Sequence, residues 1–213
     1  MNPYWIEFGK VALAHLLAVA SPGPDFALVV RQSLHHGRRT AIWTSVGIGT
    51  GILLHITYSL LGIGLLIVSS TFWFAVVRYV AAAYLAFIGI QALRARPREG
   101  NIAGVTDAKV SPRPHGAFAT GFLTNALGNP KATLFFLALF TVVIDPHTPR
   151  LIQAGYGLWM ACATAAWFIL VSFLFAQERV RRPFIEYGHW IDRTLGAVFL
   201  AFAAGLVVAA LHR

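Results

Sequence analysis

Ser21-Pro22-Gly23-Pro24-Asp25-Phe26 interrupts the first apolar stretch of the chain, directly after VALAHLLAVA at residues 11–20. A second interruption, Asn129-Pro130-Lys131, falls in another apolar stretch near the middle. Proline removes a backbone donor and clashes with the preceding turn, and in lipid a freed carbonyl has no water to satisfy it. Two such breaks, each beside an ionisable residue, therefore call for surrounding protein or a wet cavity.

The rest of the chain sets these breaks in a membrane. Of its 213 residues 57% are hydrophobic and 12% charged, against roughly 25% charged in soluble domains. Apolar stretches recur from end to end, each near the roughly 20 residues a helix needs to cross the hydrocarbon core. Hydropathy places helices at 5–30, 40–69, 72–93, 116–143, 151–177 and 191–211. The expected fold is thus an all-α polytopic membrane protein, a single transmembrane domain over 1–213 with about six spans. Residues 5–20 resemble the apolar part of a secretory signal, but they lack a basic leader and run into Pro-Gly-Pro rather than a cleavage site. They are expected to stay in the mature protein.

Three connections are basic: Arg31, Arg38 and Arg39; then Arg94, Arg96, Arg98, Lys109 and Arg113; then Arg179, Arg181, Arg182 and Arg193. The opposite side carries only Lys10, Arg78, Arg150 and Arg213. Cytoplasmic loops hold the excess of Lys and Arg, which predicts the rich loops inside and both termini outside. The same placement argues against nucleic acid as the partner of a chain with net charge +9. Tyr4, Trp5, Trp43, Phe72, Trp73, Tyr156, Trp159, Tyr187 and Trp190 fall near the expected interfaces, where aromatic belts form.

The connection 94–115 divides the chain into halves of about 1–93 and 116–213. Each half has three crossings and a break in its first helix. An odd number of crossings inverts the second half, the 3+3 inverted repeat of many secondary transporters with broken helices 1 and 4. Ser21 before Pro22 and Asn129 before Pro130 resemble N-caps with proline at the first helical position. Half-helix N-termini in the membrane would offer amide donors and a positive dipole end to a carboxylate. Asp25 and Lys131 each cost roughly 2.5–3.5 kcal/mol at a helix centre on insertion scales. Together they suit the ammonium and carboxylate of a zwitterion. The structural alternatives are a packing kink, an Asp25–Arg31 pair, or a Lys131 that snorkels along its helix.

His15 and His55 alone among the histidines fall well inside apolar segments. His55 is a candidate proton relay with Asp25, or a hydrogen-bond partner for a neighbouring helix. Gly47 and Gly51 form a small-residue face for internal packing or a dimer seam. Cys162 is the only cysteine, which excludes an internal disulfide, a dithiol relay and a cysteine metal cluster. With no HExxH, GxSxG or acidic pair, neither an enzyme, a metal site nor a cofactor is expected.

SPGPDFALVVRQSLHHGRRTAIWTSVGIGTG, GFLTNALGNPKATLFFLALF and WIDRTLGAVFLAFAAGLVV resemble the LysE/RhtB superfamily of amino-acid exporters, most closely its homoserine/homoserine-lactone and threonine efflux branch. The resemblance runs over nearly the whole chain. Its motifs fall on Pro22, Gly23, Pro24 and Asp25, and on Asn129, Pro130, Lys131 and Ala132. It implies a multi-pass carrier of the bacterial inner membrane that exports a small neutral amino acid, driven by protons, alone or as a homodimer. A passive channel or structural subunit is the alternative. One departure stands out: Asn125 precedes Asn129 by four positions rather than the family's three, with Gly128 extra. In a continuous helix that rotates Asn125 by roughly 100° against Lys131, which weakens the case for Asn125.

Overall fold

The computed structural model describes residues 3–21, 23–69, 71–96, 113–145, 147–175 and 177–211. Eight helices follow one another among them: α1 Pro3–Ala20, α2 Pro24–His35, α3 Arg38–Ser69, α4 Thr71–Leu93, α5 Pro114–Ala126, α6 Pro130–Val142, α7 Arg150–Leu174 and α8 Glu178–Leu211. No strand occurs among the described residues, so the all-α expectation holds. Within α3 and α7, Arg38–Gly62 and Arg150–Leu174 are each long and apolar enough to cross a membrane. The pair α1 and α2, bent by 52° at its break, meets the same test as one span.

Both proline breaks are real helix boundaries, and each long apolar segment becomes two helices. Pro24, Pro114 and Pro130 sit in the first turns of α2, α5 and α6, where a missing N–H is no loss because that donor has no intrahelical partner. At the second break Asn129 is the N-cap as expected, its side chain accepting from the Ala132 amide at 3.2 Å. At the first break Ser21 is not the cap. Gly23 holds that place in extended conformation (φ −162, ψ −170) with no side-chain bond, because the proline that starts the helix is Pro24, two residues later than expected. Between α2 and α3 the chain turns through Gly37 at φ 80, a left-handed conformation that favours glycine after a helix end.

The last boundary also differs from expectation. The charge pattern puts Arg179, Arg181 and Arg182 in a loop, but α8 begins at Glu178 and runs through Pro183 and Arg193 as one helix. Pro183 falls so near its start that few backbone bonds are disturbed. At this end Arg193 donates from Nε to the Ala95 carbonyl at 3.3 Å and lies 4.9 Å from the Trp190 ring centroid. The Arg38 guanidinium lies 4.6 Å from the Phe173 centroid. Arg38 and Arg193, from two of the three basic connections, therefore reach neighbouring helical segments. Arg98 and Lys109, and Arg213 at the C-terminus, lie outside the described residues.

Helix α3 is the central element, packed most closely on α5 and α7, while α4 packs on α8. The α3–α5 crossing is close because glycines make it. A Cβ on Gly47 would stand 2.1 Å from the Phe118 carbonyl oxygen, and one on Gly121 2.1 Å from that of Thr44. Gly47 thus serves internal packing. Two apolar clusters fill the molecule, one around Phe136, Leu85, Met160 and Phe199, the other around Phe26, Val29, Ile48 and Phe168. Glu7 of α1 accepts from the Asp145 amide at 3.1 Å and from the Thr148 hydroxyl at 2.8 Å, which ties the start of the chain to the α6–α7 connection. Residues of both clusters line the space where the two breaks meet.

Candidate functional site

Half-helix α2 brings Asp25 in its first turn to a buried position, 8% exposed. An isolated buried carboxylate is costly unless hydrogen-bonded, and here the other break supplies the donors. Asn125 from the last turn of α5 and Asn129 from the cap of α6 each donate from Nδ2 to Asp25 Oδ2 at 2.8 Å. Asp25 Oδ1 is enclosed and has no hydrogen-bond partner. In the other direction Lys131 Nζ donates to Ser21 Oγ at 2.7 Å and lies 5.7 Å from the Phe199 ring centroid. A Cβ on Gly23 would stand 3.7 Å from that nitrogen. Each break therefore supplies the partners of the other's polar residue.

Asn125 reaches Asp25 despite the extra residue before the second motif. Helix α5 stops at Ala126, and the amides of Leu127 and Gly128 both donate to the Leu123 carbonyl, at 3.0 and 3.1 Å. The surplus residue is taken up in this turn, so the 100° rotation expected of a continuous helix does not arise. The socket for Asn125 is Gly51 of α3, where a Cβ would lie 2.8 Å from Asn125 Oδ1.

These groups line one cavity, partly open to its surroundings. Ser21, Asp25, Asn125, Asn129 and Lys131 form its polar part, with Gly23 and Pro24 beside them; Phe26, Ile52, Phe135, Phe136 and Phe168 form much of the rest. His15 and Thr164 also line it, joined by a 3.0 Å hydrogen bond between Nε2 and Oγ1. A space with one carboxylate, one ammonium and aromatic walls matches the chemistry of a small zwitterion bearing a modest side chain. Residues 16–210 match the family model described as LysE type translocator. The chain belongs to that family.

Relatives of this LysE-type chain agree in length as well as in sequence. It is 30% identical to a threonine efflux protein of Salmonella typhi over 201 residues, 94% of this chain and 97% of the relative. The identity to the threonine efflux protein of Escherichia coli strain K12 is 29% over the same shares. An uncharacterized membrane protein of Haemophilus influenzae is 26% identical over 93% of this chain and 94% of its own. No solved structure matches.

Of the site residues read from the LysE-type motifs, Gly23, Pro24, Asp25, Asn129 and Lys131 meet at the cavity. Pro130 starts α6, and Pro22 lies outside the described residues. The alternative partners fall away: Asp25 turns to asparagines while Arg31 is exposed, and Lys131 reaches across to Ser21. His55 is buried but stands behind the cavity wall, stacked on Phe136 at 5.6 Å, with Nε2 on the Asn125 carbonyl at 3.1 Å and Nδ1 on the Tyr58 hydroxyl at 2.6 Å. Asn125, Ser21, His15 and Thr164 were not assigned from sequence. A polar residue inside an apolar helix was the available signal for His15 and Thr164, but it does not say which face looks inward.

Proposed function

We propose that this translocator exports a small neutral amino acid of the threonine, homoserine or homoserine lactone class across the bacterial cytoplasmic membrane, as a proton-coupled secondary transporter. The observation that carries the reading is the reciprocal bonding of the two breaks across one cavity, Asn125 and Asn129 on Asp25 and Lys131 on Ser21. The naming of relatives as threonine efflux proteins supports the substrate class. Asp25 Oδ1 is the acceptor offered to the substrate ammonium, and Lys131 with Ser21 offers donors to the carboxylate. Gly23, Pro24 and Pro130 shape the backbone around them.

An occupant that takes Lys131 from Ser21 and engages Asp25 loosens the contact between the breaks, which gives alternating access a physical basis. The architecture behind it is a 3+3 inverted repeat over about 1–93 and 116–213. The packing of α3 on α7 and α4 on α8, corresponding helices of the two halves, supports this. Protons are the coupling ion, carried by Asp25, and His55 acts on that group by holding the backbone of Asn125, whose side-chain amide donates to Asp25. One proton moving through 100 mV supplies roughly 2.3 kcal/mol, enough to sustain a gradient of about fiftyfold.

Counterflow of radiolabelled threonine and homoserine in proteoliposomes tests the reading. Wild-type protein is expected to give saturable exchange that responds to a pH gradient, and Asp25→Asn or Lys131→Ala to lose it while still inserting. Wild-type rates in both folded variants would remove the site assignment. Unsaturable flux indifferent to the pH gradient would favour a passive channel.

A further inference from the structure

We infer that His15 and Thr164 form a second polar subsite in the cavity, one that reads a hydroxyl on the substrate side chain and sets preference for hydroxylated over aliphatic amino acids. The inference rests on the cavity being the amino-acid site.

Thr164 behaves unlike most of the described helical threonines. Thr40, Thr44, Thr50, Thr57, Thr120 and Thr133 each donate to the carbonyl four residues earlier. Thr164 instead turns from α7 across to His15 of α1. His15 is 2% exposed, and its second ring nitrogen, Nδ1, has no hydrogen-bond partner. A hydroxyl can donate one bond and accept two, so the pair keeps unused capacity in either tautomer. If His15 donates to Thr164, the threonine O–H is left to donate to an occupant. If Thr164 donates to His15, its lone pairs are left to accept from one.

The surroundings say what would use that capacity. Beyond the pole of Ser21, Asp25, Asn125, Asn129 and Lys131 the lining is largely aliphatic and aromatic, so this pair is a polar point on an apolar wall. His15 lies on α1 and Ser21 just past its end, and both line the same cavity, so an occupant whose carboxylate meets Ser21 and Lys131 can turn a side-chain hydroxyl toward the pair. Valine, the isostere of threonine with methyl in place of hydroxyl, would leave that remaining capacity unused.

Proteoliposomes measure this as the ratio of threonine to valine counterflow. Wild-type protein is expected to favour threonine, and Thr164→Val to lower the ratio by roughly tenfold, chiefly by raising the KM for threonine. Thr164→Ser, which keeps a hydroxyl, should hold the ratio within about a factor of two of wild type. If Thr164→Val does not fold, displacement of labelled threonine by valine from wild type and from Thr164→Ala gives the same comparison. Equal use of both amino acids by wild type, or an unchanged ratio on loss of the hydroxyl, overturns the subsite while leaving amino-acid export standing. Absence of any amino-acid transport by wild type overturns export and the subsite together.

Discussion

Asp25 is held by two amides on one oxygen while the other oxygen has no hydrogen-bond partner, and that division depends on where Asn125 is placed. Gly51 decides the placement, since any Cβ there would press on Asn125 Oδ1 at 2.8 Å and on the Phe122 carbonyl at 3.2 Å. A hydrogen bond to a charged group contributes about 1.5–3 kcal/mol. Gly51→Ala is therefore expected to slow exchange by roughly ten- to a hundredfold, as is Asn125→Ala. If the glycine acts through the asparagine, the double variant should be no slower than Asn125→Ala alone. Additive losses in exchange rate would show that Gly51 acts elsewhere. Asn129 combines two tasks, capping α6 with its oxygen and binding Asp25 with its nitrogen. Its position beside Pro130 made the cap legible in sequence, whereas its contact with a residue 104 positions away was not.

Among the elements, the α3–α5 crossing fixes the site because it carries both Gly51 and Asn125. Its closeness comes from Gly47 and Gly121, where a Cβ would overlap a backbone carbonyl that no rotamer change can move. Gly47→Ala is expected to destabilise the folded protein by about 1–3 kcal/mol, the usual cost of overpacking, read as a lower unfolding temperature in detergent. Gly9→Ala, with nothing within 4 Å of its Cβ, should leave that temperature nearly unchanged. A Gly47→Ala protein as stable as wild type would mean that the helices separate freely. The hydropathy pattern marked α3 and α4 almost to the residue. It missed the start of α8 because Arg179, Arg181 and Arg182 look like a loop when only polarity is read, while arginine is a good helix former.

For the whole molecule, the basic connections and the Glu7 tie give the two ends different characters. With the exposed Cys162 replaced by serine, single cysteines at exposed Arg96 and Arg150 should react with an impermeant maleimide from opposite sides. Arg96→Cys is expected to label only from the cytoplasm and Arg150→Cys from outside intact cells; the reverse pattern would invert the topology. Composition, the placement of prolines beside charges, and the distribution of arginines were enough to specify a helical membrane protein with two broken helices. These are local properties, set by what each segment can satisfy for itself in lipid. The partners were decided only by tertiary structure. Which asparagine meets Asp25, why Lys131 turns to Ser21, and why His15 faces the cavity while His55 stands behind Phe136 depend on how α1, α3 and α7 are rotated about their axes. Packing across distant segments sets that rotation, and in helices apolar nearly all round the hydrophobic pattern carries no inward direction.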